Sequence, residues 1–379
     1  MKPRVAVVQR RMTHYRVPLF EHLRRLLAAE GIELRVLHGV GTPAEASKDD
    51  GAELPWAVRI PTRYLLGGRL CWQPFAAAVR DCAVVVVTQE NKLLNNLPPL
   101  LSPWRRRRLA FWGHGRDMQA PDPDSWSERF KAWTARRVDW WFAYTDISAA
   151  TIRAAGVPDS RITVLHNSID TSALRAAIAA ARRDGLSALR AEFGLGPGPV
   201  GLYIGSLYAG KRIDWLIEST LRLRTLVPGF QLLVAGAGPD RGLLEDAAAR
   251  HPFVRYVGPV RDERKARCLA VADLVLNPGL VGLGVLDAFA AGLPMITTEY
   301  GRAAPEIAYL RSGVNGVVSA DELGAFVDAC AGLLKDDAAR AEMGRRAAES
   351  ADEYSIERMA ERFRDGLLAC LDAGPGLRA

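Results

Sequence analysis

Residues Cys82 to Thr88 read CAVVVVT, with four consecutive valines and no charged side chain. β-Branched side chains favour strand over helix. A strand with one wet face would alternate apolar and polar residues, and this one does not. It is apolar on both faces, as in a central parallel strand, and such a sheet needs helices on both sides. An α/β architecture follows, and the flanking sequence agrees. Val5–Val8 and Ile32–Leu37 read as strands, and between them Val17–Ala29 carries Phe20, Leu23, Leu26 and Leu27 at helical spacing. Gly39–Leu70 is rich in Gly and Pro and reads mainly as loops, whereas Leu109–Gly113 and Trp140–Thr145 read as further strands.

After a helix starting near Ser172, the run Phe193-Gly-Leu-Gly-Pro-Gly-Pro199 breaks regular structure, and a domain boundary is expected there. The alternation then restarts with strand Val200–Ile204, helix Arg212–Leu223, strand Gln231–Ala235, helix Leu243–Ala249 and strand Val254–Val257. In the tail, Ile356, Met359, Phe363, Leu367 and Leu368 make an apolar stripe that needs a surface to cover. The expected organisation is a first Rossmann-like domain over 1–195, a second over 196–354, and a terminal helix over 355–379 returning to the first. Two such domains imply a cleft, where small ligands bind.

The second half is organised by Asn277–Glu306, NPGLVGLGVLDAFAAGLPMITTEYGRAAPE. A strand ends at Pro278-Gly279, a glycine-spaced turn and short helix follow, and Met295–Thr298 is the next strand. Such a turn places backbone N–H groups beyond a strand's carboxyl end, where phosphate is favoured. Gly205-Ser-Leu-Tyr-Ala-Gly-Lys-Arg212 occupies the equivalent place after Val200–Ile204, so Lys211 and Arg212 are candidate diphosphate ligands. Gly236-Ala-Gly-Pro239 follows the next strand and is either a ligand turn or a tight structural one.

Composition narrows the function classes. With 49% hydrophobic and 25% charged residues over 379, there is room for two cores, and no apolar run approaches the roughly 20 residues of a membrane span. The N-terminus enters a strand without a signal-peptide pattern, so a cytoplasmic location is expected. Five scattered cysteines without CxxC spacing read as packed thiols rather than a zinc or disulfide framework. The net charge of +7 is uneven: residues 1–195 carry 29 Lys and Arg against 19 Asp and Glu, the rest 21 against 24. Arg105–Arg108, Lys131, Arg136 and Arg137 lie near Trp104, Trp126 and Trp133. This pattern suits peripheral contact with the inner face of a membrane, although a solvated basic face also explains it. A nucleic-acid role rests on charge alone and is not expected.

The segments GSLYAGKRIDWLIES, LLVAGAGPD, ADLVLNPG, VGLGVLDAFAAGLPMITTEYGRAAPE and SGVNGVV succeed one another as in the donor domain of family 4 glycosyltransferases of the GT-B fold. FWGHGRD, AYTD and VLHNSID resemble that family's acceptor-domain segments. The resemblance covers nearly the whole chain and implies two Rossmann-like domains facing across a cleft. It also implies sugar transfer from a nucleotide-diphosphate sugar with retention of configuration, without metal or other cofactor. Lys211 matches the family's diphosphate lysine, Asp287 the second acid of its paired-glutamate motif, which holds the ribose, and Glu306 the following Pro-Glu segment. His114 matches the histidine beside the donor sugar. Two departures stand out: the first glutamate is Gly279, and the arginine after the strand glycine is Ser206. In compensation, backbone N–H groups of Leu280, Val281, Gly282 and Leu283 would hold sugar hydroxyls, and Arg212 would supply the missing charge. Gly205, Ser206 and Gly238 complete the expected donor site, with Lys211 and His114 as catalytic candidates.

On the acceptor side, the turn with Arg10, Arg11, Thr13, His14 and Arg16 is bulky and basic, suited to an acceptor or its phosphate, or to stabilising the following helix. Glu90 would orient an acceptor hydroxyl or pair with an arginine. Asp122-Pro123-Asp124 lies in a proline-rich loop and reads as a turn rather than a metal motif. The expected acceptor is a glycan or lipid-linked glycan of surface polysaccharide synthesis. Competing classes are a nucleotide-sugar epimerase, which would turn over without acceptor, and a binding protein that holds nucleotide-sugar without transfer.

Overall fold

Four valines form the centre of the first sheet in the computed structural model, which describes residues 2–46, 50–102, 107–118, 122 and 125–373. The strands of the first unit are β1 (Arg4–Gln9), β2 (Glu33–His38), β3 (Val58–Arg59), β4 (Arg63–Leu65), β5 (Leu70–Trp72), β6 (Val84–Thr88), β7 (Arg108–Gly113), β8 (Trp140–Ala143) and β9 (Ile162–Val164). Seven of them form a parallel sheet in the order β3-β2-β1-β6-β7-β8-β9, while β4 and β5 make a separate antiparallel hairpin in the segment expected to be loops. In β6, Val84 and Val86 pack into one core with Phe20, Leu23 and Trp112. Val85 and Val87 pack into another on the opposite face, with Phe75, Phe111 and Trp141. Both faces are covered, which is the physical reason for four consecutive valines.

The terminal helix Ile356–Asp372 belongs to this unit. Its stripe of Ile356, Met359, Phe363 and Leu367 lies in the same core as Leu19 and Phe20 of helix Val17–Ala29. The Phe363 ring stands 4.5 Å from Phe142 and 5.2 Å from Trp112.

The second unit is Thr171–Ser355. Its strands are β10 (Val200–Ile204), β11 (Gln231–Ala235), β12 (Val254–Tyr256), β13 (Leu274–Asn277), β14 (Met295–Thr298) and β15 (Gly316–Ser319), parallel in the order β12-β11-β10-β13-β14-β15. The division falls at Asp170/Thr171, not at residue 195 as the Gly/Pro run suggested. Helix Ser172–Asp184 packs on helix Asp262–Ala270, and the Arg182 guanidinium donates to the Ala291 carbonyl at 2.9 Å. The Gly/Pro run is an internal turn of the second unit: the Gly196 N–H donates to Gln231 Oε1 at 2.7 Å, and Arg190 donates to the Gly196 carbonyl.

Candidate functional site

In the second sheet the chain leaves β10 in one direction through β11 and β12 and in the other through β13, β14 and β15. Connections that part in this way leave a crevice beyond the carboxyl ends of the strands. The turns after β10, β11 and β13 meet there around a cavity of about 540 Å³, within the usual range for small-ligand sites. Of the expected donor residues, Gly205, Ser206, Lys211, Gly282, Leu283 and Asp287 line it.

Lys211 is half-buried and donates its ammonium to the Leu280 carbonyl, tying the turn after β10 to the turn after β13. Burial lowers its pKa from the ordinary 10.5 to about 8, with the negative charge of Glu306 acting the other way. Glu306 itself is 8% exposed and is not part of the cavity wall. Its bearing on the site is through Lys211. Gly279 explains the missing glutamate. A Cβ there would lie 2.4 Å from the Gly210 carbonyl oxygen and 2.5 Å from the Lys211 backbone. No side chain fits while the turn carrying Lys211 packs so closely. Asn277 and Thr298 fix this turn, Asn277 donating to the Leu280 carbonyl at 3.3 Å and Thr298 to the Pro278 carbonyl at 3.0 Å.

Asp287 is 7% exposed, and burial raises its pKa against the opposing effect of Lys265, whose Nζ is 2.7 Å from Oδ1. Lys265 lines the same cavity and went unnoticed in the sequence, because Asp262-Glu263-Arg264-Lys265 has the look of a solvated helix start.

Besides Glu306, the structure moves four expected donor residues off the cavity wall: Arg212, Gly238, Leu280 and Val281. Arg212 does not reach the cavity: it forms a bidentate pair with Asp321, its guanidinium lies 3.7 Å from the Tyr300 ring centre, and it caps helix Ile213–Leu226 with φ 52°. Gly238 serves backbone packing, since a Cβ there would lie 2.0 Å from the Leu207 carbonyl oxygen. The Leu280 N–H is given to the Gly210 carbonyl at 2.9 Å, and Val281 is fully buried.

In the first unit, His114 follows β7, with Nδ1 3.2 Å from Ser148 Oγ and its ring 4.3 Å from Tyr144. Burial, reinforced by Arg16, lowers its pKa to about 4, so it is a neutral imidazole near pH 7. Arg16 is 6% exposed and lies 4.6 Å over the Trp112 ring. Its Nη1 is buried without a hydrogen-bond partner among the described residues. Thr13 is buried and bridges to Gly51, whereas His14 is exposed, with Nδ1 3.3 Å from the Asp50 carbonyl oxygen.

Other basic groups of this turn are internally committed. Arg10 holds Glu45 by two bonds of 2.6 and 2.7 Å and lies 3.3 Å from Glu90, keeping the Glu45 carboxyl at about 2. Glu90 also pairs with Lys92 at 3.1 Å, so pairing rather than acceptor orientation describes it. Arg11 binds Asp50.

The basic face is thinner than the sequence suggests. Arg107 donates to the Val79 carbonyl and Arg108 to that of Ala373, while Lys131 pairs with Glu128. Trp104, Arg105, Arg106, Pro123 and Asp124 lie outside the described residues. On helix Trp126–Ala135, the rings of Trp126, Phe130 and Trp133 stack at 5.5 and 5.6 Å, with Arg137 3.9 Å over Trp133. Trp126 is 79% exposed. Among the described residues no helix is long and apolar enough to cross a membrane.

Residues 19–173 match Glycosyltransferase Family 4, and residues 198–336 match Glycosyl transferases group 1. Glycogen synthase of Mycobacterium tuberculosis (strain ATCC 25618 / H37Rv) is 32% identical over 177 residues, 44% of this chain and 42% of that protein. Phosphatidyl-myo-inositol mannosyltransferase of Mycobacterium leprae (strain TN) is 30% identical over 149 residues, 38% of this chain and 39% of that protein. The matches thus span less than half the length of these curated relatives. Among solved structures, Anabaena HepE in complex with UDP aligns over 97% of this chain and 99% of its own, with a TM-score of 0.70 at 16% identity. That likeness carries the fold alone, which is GT-B. With one family match on either side of the 174–197 segment and the fold shared along the chain, this protein belongs to the family 4, group 1, glycosyltransferases.

Proposed function

We propose that the chain transfers a sugar from a nucleotide-diphosphate sugar to a hydroxyl acceptor with retention of configuration, the acceptor being a glycan or lipid-linked glycan of surface polysaccharide synthesis. The observation that carries this reading is Lys211, a half-buried ammonium on the wall of a cavity at the carboxyl ends of β10, β11 and β13. Transfer needs charge stabilisation on the departing diphosphate more than a strong nucleophile. The bond from the sugar's anomeric carbon to the β-phosphate oxygen breaks, and the acceptor oxygen bonds that carbon from the same face. The acceptor proton passes to the departing phosphate, so no covalent sugar–enzyme intermediate is required. Lys211 neutralises the charge that develops, and Asp287 receives the ribose. His114, neutral near pH 7, serves the sugar as a hydrogen-bonding partner rather than as an acid.

The mannosyltransferase and glycogen synthase relatives support sugar transfer, and the UDP bound to HepE supports a nucleotide-linked donor. The stacked Trp126, Phe130 and Trp133 beside Arg137 favour contact with an anionic lipid surface, in keeping with a lipid-linked acceptor at the inner face of a membrane. Binding to phosphatidylglycerol vesicles that falls in Trp126→Ala supports that contact; equal binding by the variant refutes it. The test of function is release of nucleoside diphosphate from a panel of nucleotide-sugars, with and without acceptor extract. Acceptor-dependent release with α-configured product from an α-configured donor supports the reading. Turnover of the sugar without acceptor, or binding without release, refutes it.

A further inference from the structure

The carboxylate expected to receive the ribose does not stand alone. Lys265, on helix Asp262–Ala270, places Nζ 2.7 Å from Asp287 Oδ1, and both side chains line the cavity. The Lys265 side chain keeps 26% of its surface exposed and that of Asp287 keeps 10%, so the pair presents itself to the cavity rather than being sealed behind it. The other charged groups around the helix that carries Asp287 have different tasks. Lys211 is drawn to the Leu280 carbonyl, Arg182 caps the helix end at the Ala291 carbonyl, and Glu306 bears on Lys211.

Aspartate is one methylene shorter than the glutamate that the family resemblance places here, so its oxygens reach less far into the cavity. A carboxylate only accepts, while an ammonium offers three donors, of which one is used by Asp287 Oδ1. A ribose has two neighbouring hydroxyls, each able to donate and to accept. An acceptor and a donor side by side complement that diol better than a carboxylate alone.

We propose that Lys265 and Asp287 together receive the 2′,3′-diol of the donor nucleotide, the carboxylate accepting from one hydroxyl and the ammonium donating to the other, so that Lys265 sets the preference for ribonucleotides. This rests on the donor-site reading given above.

The experiment titrates the full chain with UDP, GDP and ADP and with their 2′-deoxy and 3′-deoxy counterparts, by calorimetry, on wild type, Lys265→Met and Lys265→Arg. One charge-assisted hydrogen bond corresponds to about tenfold in affinity. Wild type should therefore bind its preferred ribonucleotide about tenfold more tightly than at least one deoxy form. Lys265→Met should bring the ribonucleotide down to the deoxy level while leaving deoxy affinity nearly unchanged, and Lys265→Arg should recover part of the difference. A purely structural lysine would weaken both ligands alike, and that outcome overturns the proposal. So does wild-type protein that binds ribo and deoxy forms equally, a comparison that needs no variant to fold. If none of the nucleoside diphosphates binds, the nucleotide reading fails and this assignment with it. Binding with unaltered discrimination in Lys265→Met sinks Lys265 alone.

Discussion

Raising the pH should weaken nucleotide binding through one amine. Lys211 has its pKa lowered from 10.5 to about 8, first by burial, with Glu306 opposing. That drop is worth on the order of 3 kcal/mol against the charged form. About nine in ten molecules carry the ammonium at about pH 7 and about one in ten at about pH 9. The terminal phosphate ionises near 6, below this window, so the ligand's charge stays nearly constant. If only the ammonium form binds diphosphate well, affinity falls about tenfold between those two pH values, and binding near pH 9 takes up close to one proton. Calorimetry in two buffers of different ionisation enthalpy counts that proton. Lys211→Arg, charged throughout, should give a flat profile at high affinity, and Lys211→Ala a flat profile at low affinity.

The same shift bears on stability. Between about 8 and 10.5 the unfolded chain binds more protons at this site than the folded one, so the folded state gains stability as pH rises through the window. Below about 8 the cost of the buried charge is present in full, and Lys211→Met should be the more stable protein there without ligand. A wild-type affinity that does not change with pH, or a slope that persists in Lys211→Ala, would refute the reasoning.

Three further outcomes are expected. Gly279→Ala puts a Cβ 2.4 Å from the Gly210 carbonyl oxygen, so it should cost about 1–3 kcal/mol in a denaturant titration and displace Lys211 enough to weaken nucleotide binding; unchanged midpoint and affinity would contradict this. His114 remains neutral down to about 4, so the rate profile should show no acid limb near 6.5 from this residue, and His114→Gln should lower turnover without altering the profile's acid side; a limb that vanishes in the variant contradicts the assignment. Phe363→Ala removes a fully buried ring between Phe142 and Trp112 and should destabilise the first unit by about 3–5 kcal/mol, read as a lower unfolding midpoint; a change below about 1 kcal/mol would deny the terminal helix its place in that core.

What could be read from sequence depended on whether the signal was local. Four valines in a row can only be covered on both sides, and the spacing of Phe20, Leu23 and Leu27 marks one helix face whatever lies opposite. The turns that reach the cavity were legible for the same reason: glycine and a cation just after a strand are local features. The features that escaped are long-range. The Gly/Pro run before β10 has the composition of a linker, and only its tie to Gln231 shows that it is an internal turn. Arg212 follows Lys211 as a phosphate ligand would, but its partner Asp321 is 109 positions away. Lys265 sits in a charged run without a local mark, and its role depends on an aspartate 22 residues further on. The departure at Gly279 was visible, yet its cause, the backbone of Gly210 and Lys211 pressing on it, was not.

The most direct measurement is a crystal structure of the protein with a bound nucleoside diphosphate. The account predicts the diphosphate within hydrogen-bonding distance of Lys211 Nζ and the ribose hydroxyls against Asp287 and Lys265, in the cavity beyond β10, β11 and β13. A nucleotide bound elsewhere, or one whose phosphates avoid Lys211, would contradict it.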